Sequence, residues 1–277
     1  LPPSSLLFPV SSAELQVLVP QLPVVALYGM DTTLNCSFSP VTPFNLSDLS
    51  IFWQVALTGR SVHAFWDGRD QLVDQGESFA NRTSLFQSEL GSGNASLLLR
   101  KVQIADEGVF SCFVKVQDYN KAALLVQVAA PYSKPEVIHR MDSNLRPGDE
   151  VSLTCEAYGG YPEADVMWQD GRGRNLTDNV TTSAVANEEG LYRLYSVLRV
   201  TVEPNSTYTC RLLNPVLGDE GFASVTITAP TPRPWRCSAG LGNDSAGRKR
   251  AHWAVVTRAG IGGGVPFTPP LQPKHAR

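Results

Sequence analysis

Hydrophobic and polar positions alternate along this chain in short runs with a period of two, the spacing of strands with one buried face. In the first half the runs Leu15–Val19, Val24–Leu27, Thr32–Phe38, Ser50–Val55 and Ser61–Phe65 predict strands. Ser84–Phe86, Ala95–Leu99, Val109–Val116 and Ala122–Val128 continue the series. Gly, Pro, Asn and Asp recur between them and supply turn chemistry. The most informative stretch is Asp106-Glu107-Gly108-Val109-Phe110-Ser111-Cys112. Asp106 and Gly108 make a turn, after which Phe110 and Cys112 share one face and Val109 and Ser111 the other. Upstream, Cys36 and Trp53 each sit inside a predicted strand.

An aromatic two residues before a cysteine, after an acidic turn, with an earlier cysteine and a tryptophan between, is the pattern of an immunoglobulin sandwich. Phe110 stands where such corners usually carry tyrosine, so the packing is kept without the hydroxyl hydrogen bond. Cys36 and Cys112 are 76 residues apart. Residues 54 to 83 leave room for extra strands between C and D, which predicts a variable-type domain. Arg82, just before strand D, is placed to pair with Asp106 across the bottom of the barrel.

The pattern then repeats. Gly148-Asp149-Glu150-Val151-Ser152-Leu153-Thr154-Cys155 echoes Gly29-Met30-Asp31-Thr32-Thr33-Leu34-Asn35-Cys36, and Val166-Met167-Trp168-Gln169 echoes Ile51-Phe52-Trp53-Gln54. Tyr208-Thr209-Cys210 supplies a second corner, with the tyrosine. Here the cysteines are 55 residues apart, which predicts a seven-stranded constant-type domain. Gly160-Tyr161-Pro162-Glu163 suggests a bend with a cis Tyr161–Pro162 bond. The expected fold class is therefore all-β, two tandem sandwiches, variable-type over 14–129 and constant-type over 130–229. Ala129-Ala130-Pro131-Tyr132-Ser133-Lys134-Pro135 joins them, its prolines limiting flexibility. Four cysteines allow three pairings. Only Cys36–Cys112 with Cys155–Cys210 keeps each bond inside one domain, leaving Cys237 over.

The ends break the pattern. Residues 1–13 resemble the remnant of a signal peptide, with Ser11-Ser12-Ala13 as its small-residue end. Residues 230–277 hold 7 prolines and 7 glycines and no alternating run, so they are expected to be a disordered tail. That reading includes no transmembrane segment, since no stretch of about 18 apolar residues occurs. Arg248-Lys249-Arg250 reads as a solvated run.

The net charge of −3 hides an asymmetry. Residues before Pro230 carry 15 bases and 25 acids, a net −10, whereas the tail carries 8 bases and Asp244, a net +7. The overall balance gives no basis for a nucleic-acid surface. Paired cysteines and eight N-x-S/T sequons point to the secretory pathway. Asn45, Asn81, Asn94, Asn175, Asn179 and Asn205 are the expected glycosylation sites, Asn35 and Asn243 being weaker. His63, His139, His252 and His275 are scattered, and neither a G-x-S-x-G elbow nor a phosphate-binding loop occurs. Asp118, Asp165 and Asp170 read as turn residues. The chain is read as no enzyme, with no cofactor, metal or small-molecule substrate.

Over about 14–229 the chain resembles the B-seven family of T-cell costimulatory and co-inhibitory ligands. The stretches that carry this are Gly160-Tyr161-Pro162-Glu163-Ala164-Asp165-Val166-Met167-Trp168-Gln169-Asp170-Gly171, Ala80-Asn81-Arg82-Thr83 and Gly93-Asn94-Ala95-Ser96-Leu97. Ala105-Asp106-Glu107-Gly108 and Asn214-Pro215-Val216-Leu217 add to them. The resemblance implies an extracellular immune-checkpoint ligand that binds a protein receptor on T cells and modulates T-cell activation and cytokine production. Members normally stand on the external side of the plasma membrane. The tail departs from the family where an anchor is expected, which suggests a secreted form. An alternative of another class is a homophilic adhesion module, or a soluble decoy without a signalling receptor.

Alternation also selects a partner face. With Trp53 inward, Phe52 and Gln54 point out, and with Phe110, Cys112 and Val114 inward, Ser111, Phe113 and Lys115 point out. Strands C and F pair in one sheet, which places Phe52 and Phe113 on one outer face. Gln117, Asp118, Tyr119, Asn120 and Lys121 are expected to form the adjoining F–G loop, with Tyr119 as an amphipathic anchor. No sequon falls on strand C, strand F or this loop. The alternative is that Phe52 and Phe113 are covered by the extra strands after C or by a second copy in a homodimer.

Overall fold

Strands with one apolar face are stable only when that face is covered, and here sheets cover one another in pairs. The computed structural model describes residues 14–39, 43–139, 148–203, 205–228 and 254–261. The expectations for residues 1–13, Cys237 and Asn243 lie outside these. The chain divides into two compact units, Leu1–Ala129 and Ala130–Arg277.

The first unit contains β1 (Gln16–Leu18), β2 (Val24–Leu27), β3 (Thr32–Leu34), β4 (Ser37–Ser39), β5 (Ser50–Val55) and β6 (Ser61–Trp66). It continues through β7 (Arg69–Asp70), β8 (Thr83–Leu85), β9 (Leu97–Leu99), β10 (Gly108–Lys115) and β11 (Tyr119–Ala129). The front sheet has the order β2-β11-β10-β5-β6-β7, with β2 parallel to β11. Strands β3-β9-β8 form the opposing sheet, and β1 pairs with β4. Strands β6 and β7 fill the stretch left for a variable-type domain. The Cys36–Cys112 disulfide lies beside buried Trp53, whose indole N–H donates to the Ala95 carbonyl at 3.0 Å. Leu34, Ile51, Leu97, Leu99 and Phe110 are among the side chains buried with them in the core. Burial of each such side chain stabilises by about 1.5–3 kcal/mol. Phe110 meets Phe79 edge-on at 6.2 Å, so the corner keeps its packing, and Arg82 pairs with Asp106 as expected.

Two expectations are corrected in this unit. The run Thr32–Phe38 is not one strand. Between β3 and β4 the Cys36 N–H donates to Ser96 Oγ at 3.1 Å, and its carbonyl accepts from the Ala95 N–H at 2.9 Å. The chain then hands over from β9 to Gly93, whose carbonyl accepts from the Phe38 N–H at 2.8 Å. Gly93 has φ 91°, and a Cβ there would collide with the Phe38 carbonyl oxygen. The F–G loop is also shorter than expected. Tyr119, Asn120 and Lys121 belong to β11, and the turn is Val116-Gln117-Asp118, closed by Val116 N–H to Asp118 C=O at 2.9 Å. Gln117 takes φ 54°, the left-handed conformation that lets so short a turn reverse the chain.

The second unit contains β12 (Glu136–His139), β13 (Glu150–Gly160), β14 (Asp165–Asp170), β15 (Asn175–Leu176) and β16 (Val180–Ala186). It continues through β17 (Tyr192–Thr201), β18 (Ser206–Leu213), β19 (Glu220–Thr228) and β20 (Ala254–Ile261). Its sheets are β12-β13-β17-β16 and β15-β14-β18-β19-β20. The Cys155–Cys210 disulfide and buried Trp168 hold them together, with the Trp168 indole N–H donating to Ser196 Oγ at 3.0 Å. Beyond the seven strands of a constant-type domain there is the two-residue β15. The Tyr161–Pro162 bond is cis, as expected.

The tail expectation is corrected at one place. Ala254–Ile261 forms β20 and pairs antiparallel with β19, from Thr228↔Ala254 to Gly221↔Ile261. Its Ala-Val-Val-Thr start favours extended backbone, and an edge strand offers a row of unpaired N–H and C=O groups. Composition dominated by Pro and Gly elsewhere in 230–277 obscured this run.

The start of this unit is locked onto its body. Ala130 and Tyr161 exchange backbone hydrogen bonds of 2.9 and 3.0 Å. Asn214, 1% exposed, donates to both their carbonyls at 3.0 Å and accepts from the Val216 and Leu217 N–H groups at 3.1 and 3.2 Å. The Tyr132 hydroxyl donates to the Pro162 carbonyl at 2.8 Å, and its ring occupies the space where Gly160 has no Cβ. Burial pushes the Tyr132 phenol up to about 12.

Candidate binding face

The outer surface of the front sheet is built by period-two alternation in β5, β6, β10 and β11. Phe113 stands directly opposite Phe52 on one side and Lys121 on the other. Phe52 faces Ala64, and its ring lies 5.4 Å from that of Trp66 at the end of β6. Lys121 Nζ stands 5.3 Å from the Phe113 ring centroid, a cation–π geometry. The result is a continuous band Trp66–Phe52–Phe113–Lys121. Tyr119, 73% exposed, and Lys115 pair across the hairpin above it. Gln117 and Asp118 form the exposed turn. Below, Leu125, 40% exposed, lies opposite Val109.

The outward direction of Phe52, Gln54, Phe113 and Lys115 is as alternation requires, but their exposure differs. Phe52 and Phe113 are half-buried, because Trp66 and Lys121 lie on the two rings, and Gln54 is half-buried as well. Part of the covering by extra strands is thus real, through β6. Ser111 points out yet is 8% exposed, flanked in register by Gln54 and Ala123. Asn120 does not join the face. Its amide donates to the Leu15 carbonyl at 2.7 Å and ties the amino-terminal strand to β11. Sequence reasoning missed Trp66, because the predicted strand ended at Phe65. One further step of the alternation would have found it. Leu125 lay inside a predicted strand, and its outward position followed from Leu124 and Val126 being buried.

None of the sequons lies on β5, β10 or β11. Asn45, Asn81, Asn175, Asn179 and Asn205 are exposed, while Asn94 is half-buried, with its amide donating to Glu89 at 2.6 Å. Among the described residues, no group of three or more His, Cys, Asp or Glu is placed to hold a metal, and no helix is long and apolar enough to cross a membrane.

This architecture defines a class: a tandem variable-type and constant-type immunoglobulin protein with an aromatic front face. The immunoglobulin constant-domain family typified by butyrophilin subfamily 3 member A2 matches residues 133–221. The CD276 antigen homolog of Xenopus laevis is 44% identical over 224 residues, which span 80% of this chain and 72% of that protein. Human V-set domain-containing T-cell activation inhibitor 1 is 34% identical over 202 residues, 72% of this chain and 68% of its own length. Against butyrophilin subfamily 1 member A1 of mouse the chain spans only 42% of the relative. Bovine butyrophilin superposes with a TM-score of 0.69 at 26% identity, covering 78% of this chain and all of that one. A chain in the crystal structure of ICOS with ICOS-L and an anti-ICOS-L VNAR domain gives 0.62 at 25% identity, over 72% and 95% of the two chains. The chain belongs to the B-seven family of T-cell co-signalling ligands. Its likeness to the CD276 homolog agrees with the family resemblance read from its motifs.

Proposed function

We propose that this chain is an extracellular immune-checkpoint ligand that binds a protein receptor on T cells and modulates T-cell activation and cytokine production. Binding is through the front sheet of the first unit. The observation that carries the reading is the Trp66–Phe52–Phe113–Lys121 band, an aromatic surface on strands that carry no sequon. Partly exposed aromatic rings clustered on one sheet, with a tyrosine at the rim, have the composition of interaction hot spots. Phe52, Gln54 and Phe113 form the centre, and Lys115, Gln117, Asp118, Tyr119 and Lys121 the polar rim. Asn120 contributes by anchoring the hairpin rather than by contact. The names of the relatives support the partner class, one being a T-cell activation inhibitor and another structure holding ICOS with ICOS-L. Disulfides in both units and the sequons support an extracellular setting.

The test is Phe113→Asp combined with Tyr119→Ala in the whole chain. Binding to activated T cells is expected to fall at least tenfold, about 1.4 kcal/mol, while the melting temperature holds. Undiminished binding by the folded double variant overturns the front-sheet reading.

A further inference from the structure

One end of the second unit carries an open cleft of about 850 Å³ between the β14–β15 hairpin, the β15–β16 turn and the β17–β18 turn. That size falls in the range of about 300–1,000 Å³ typical of small-ligand clefts. Three sequons open onto it: Asn175-Leu176-Thr177, Asn179-Val180-Thr181 and Asn205-Ser206-Thr207. All three asparagines line the cleft and are exposed.

Turn geometry explains part of this. Asn179 and Asn205 take φ 59° and 58°, the left-handed region where asparagine is favoured. It does not explain Asn175, which sits on a strand with its side-chain oxygen accepting from the Gln169 amide at 3.0 Å. Nor does it explain the exposed Thr177 and Thr181, which complete the first two sequons. The walls discriminate between occupants. Asp170, Asp178 and Glu203 are balanced by Arg172, Arg174 and Arg199, and Asp170 already pairs with Arg174 at 2.7 Å. A balanced wall favours neither an anion nor a cation. Its many donors and acceptors suit a neutral ligand rich in hydroxyl and acetamido groups.

We propose that this cleft is the seat of N-linked carbohydrate carried by the chain itself, the inner sugars of at least one of the three glycans lying in it. The seat is independent of the receptor-binding face. Carbohydrate then covers this end of the second unit.

The test uses the full chain produced in mammalian cells with mannosidase I inhibited, so that every glycan is high-mannose. Endoglycosidase H release is followed site by site by mass spectrometry on native and on denatured protein. Native release at Asn175, Asn179 or Asn205 is expected to be at least tenfold slower than at Asn45 and Asn81, with the difference abolished by denaturation. Arg172→Ala with Arg199→Ala alters the wall without touching a sequon, and is expected to restore fast native release. Equal native rates at all five sites overturn the proposal. So does the absence of modification at all three asparagines, or slow release unaffected by either denaturation or the arginine substitutions.

Discussion

Arg82 donates two near-parallel hydrogen bonds to Asp106, 2.8 Å from Nη1 to Oδ2 and 2.7 Å from Nη2 to Oδ1. Asp106 is 2% exposed and also accepts from the Gln103 N–H at 2.8 Å. Arg82 further donates to the Lys101 carbonyl at 2.9 Å. Both charges are therefore paired and hydrogen-bonded, and removing one leaves the other buried alone. Arg82→Ala is expected to lower stability by about 3–5 kcal/mol, read by chemical denaturation. Replacing both residues with apolar ones of similar volume is expected to cost distinctly less.

Asn214 joins two carbonyls and two N–H groups within the second unit, and no other side-chain type offers the same two donors and acceptor at that length. Asn214→Ala is expected to destabilise by about 2–4 kcal/mol, since each bond contributes about 1 kcal/mol and buried groups lose their partner. Thermal unfolding followed in the near ultraviolet would register it.

Trp66 was not among the residues that the sequence reading selected, so it provides an independent check on the front face. It is 38% exposed and rests on Phe52. Trp66→Ala is expected to weaken T-cell binding about tenfold or more, with a far smaller effect on unfolding. Dissociation of the labelled soluble chain from activated T cells, followed by flow cytometry, should show the change mainly in the off-rate.

Tyr132 gives a pH signature. Its phenol ionises at about 12 in the folded chain and at its ordinary value of 10 when unfolded. The folded state holds the proton longer, so its contribution is intact below pH 10 and is lost as pH rises toward 12. The difference in unfolding free energy between the parent chain and Tyr132→Phe is expected to be flat below pH 10 and to shrink above it. A difference unchanged across that window would contradict the assigned burial.

Much of this molecule follows from local pattern. Phe110 and Cys112 on one face of a strand, with Trp53 and Cys36 upstream, leave one consistent way to cover the apolar faces. The disulfides, the Arg82–Asp106 pair and the cis proline come with it. These are legible because period two and turn chemistry are properties of a few adjacent residues, and because cysteine, tryptophan and proline have few alternative uses. Tertiary structure alone decided the rest. It made Phe52 and Phe113 half-covered rather than bare, since Trp66 and Lys121 arrive from neighbouring strands. It withdrew Asn120 from the face to hold Leu15, and brought Asn205 beside Asn175 and Asn179 across two turns. It also found a partner edge for Ala254–Ile261. Exposure, register and convergence depend on which distant segment lies alongside, and that is settled only when the sheets close.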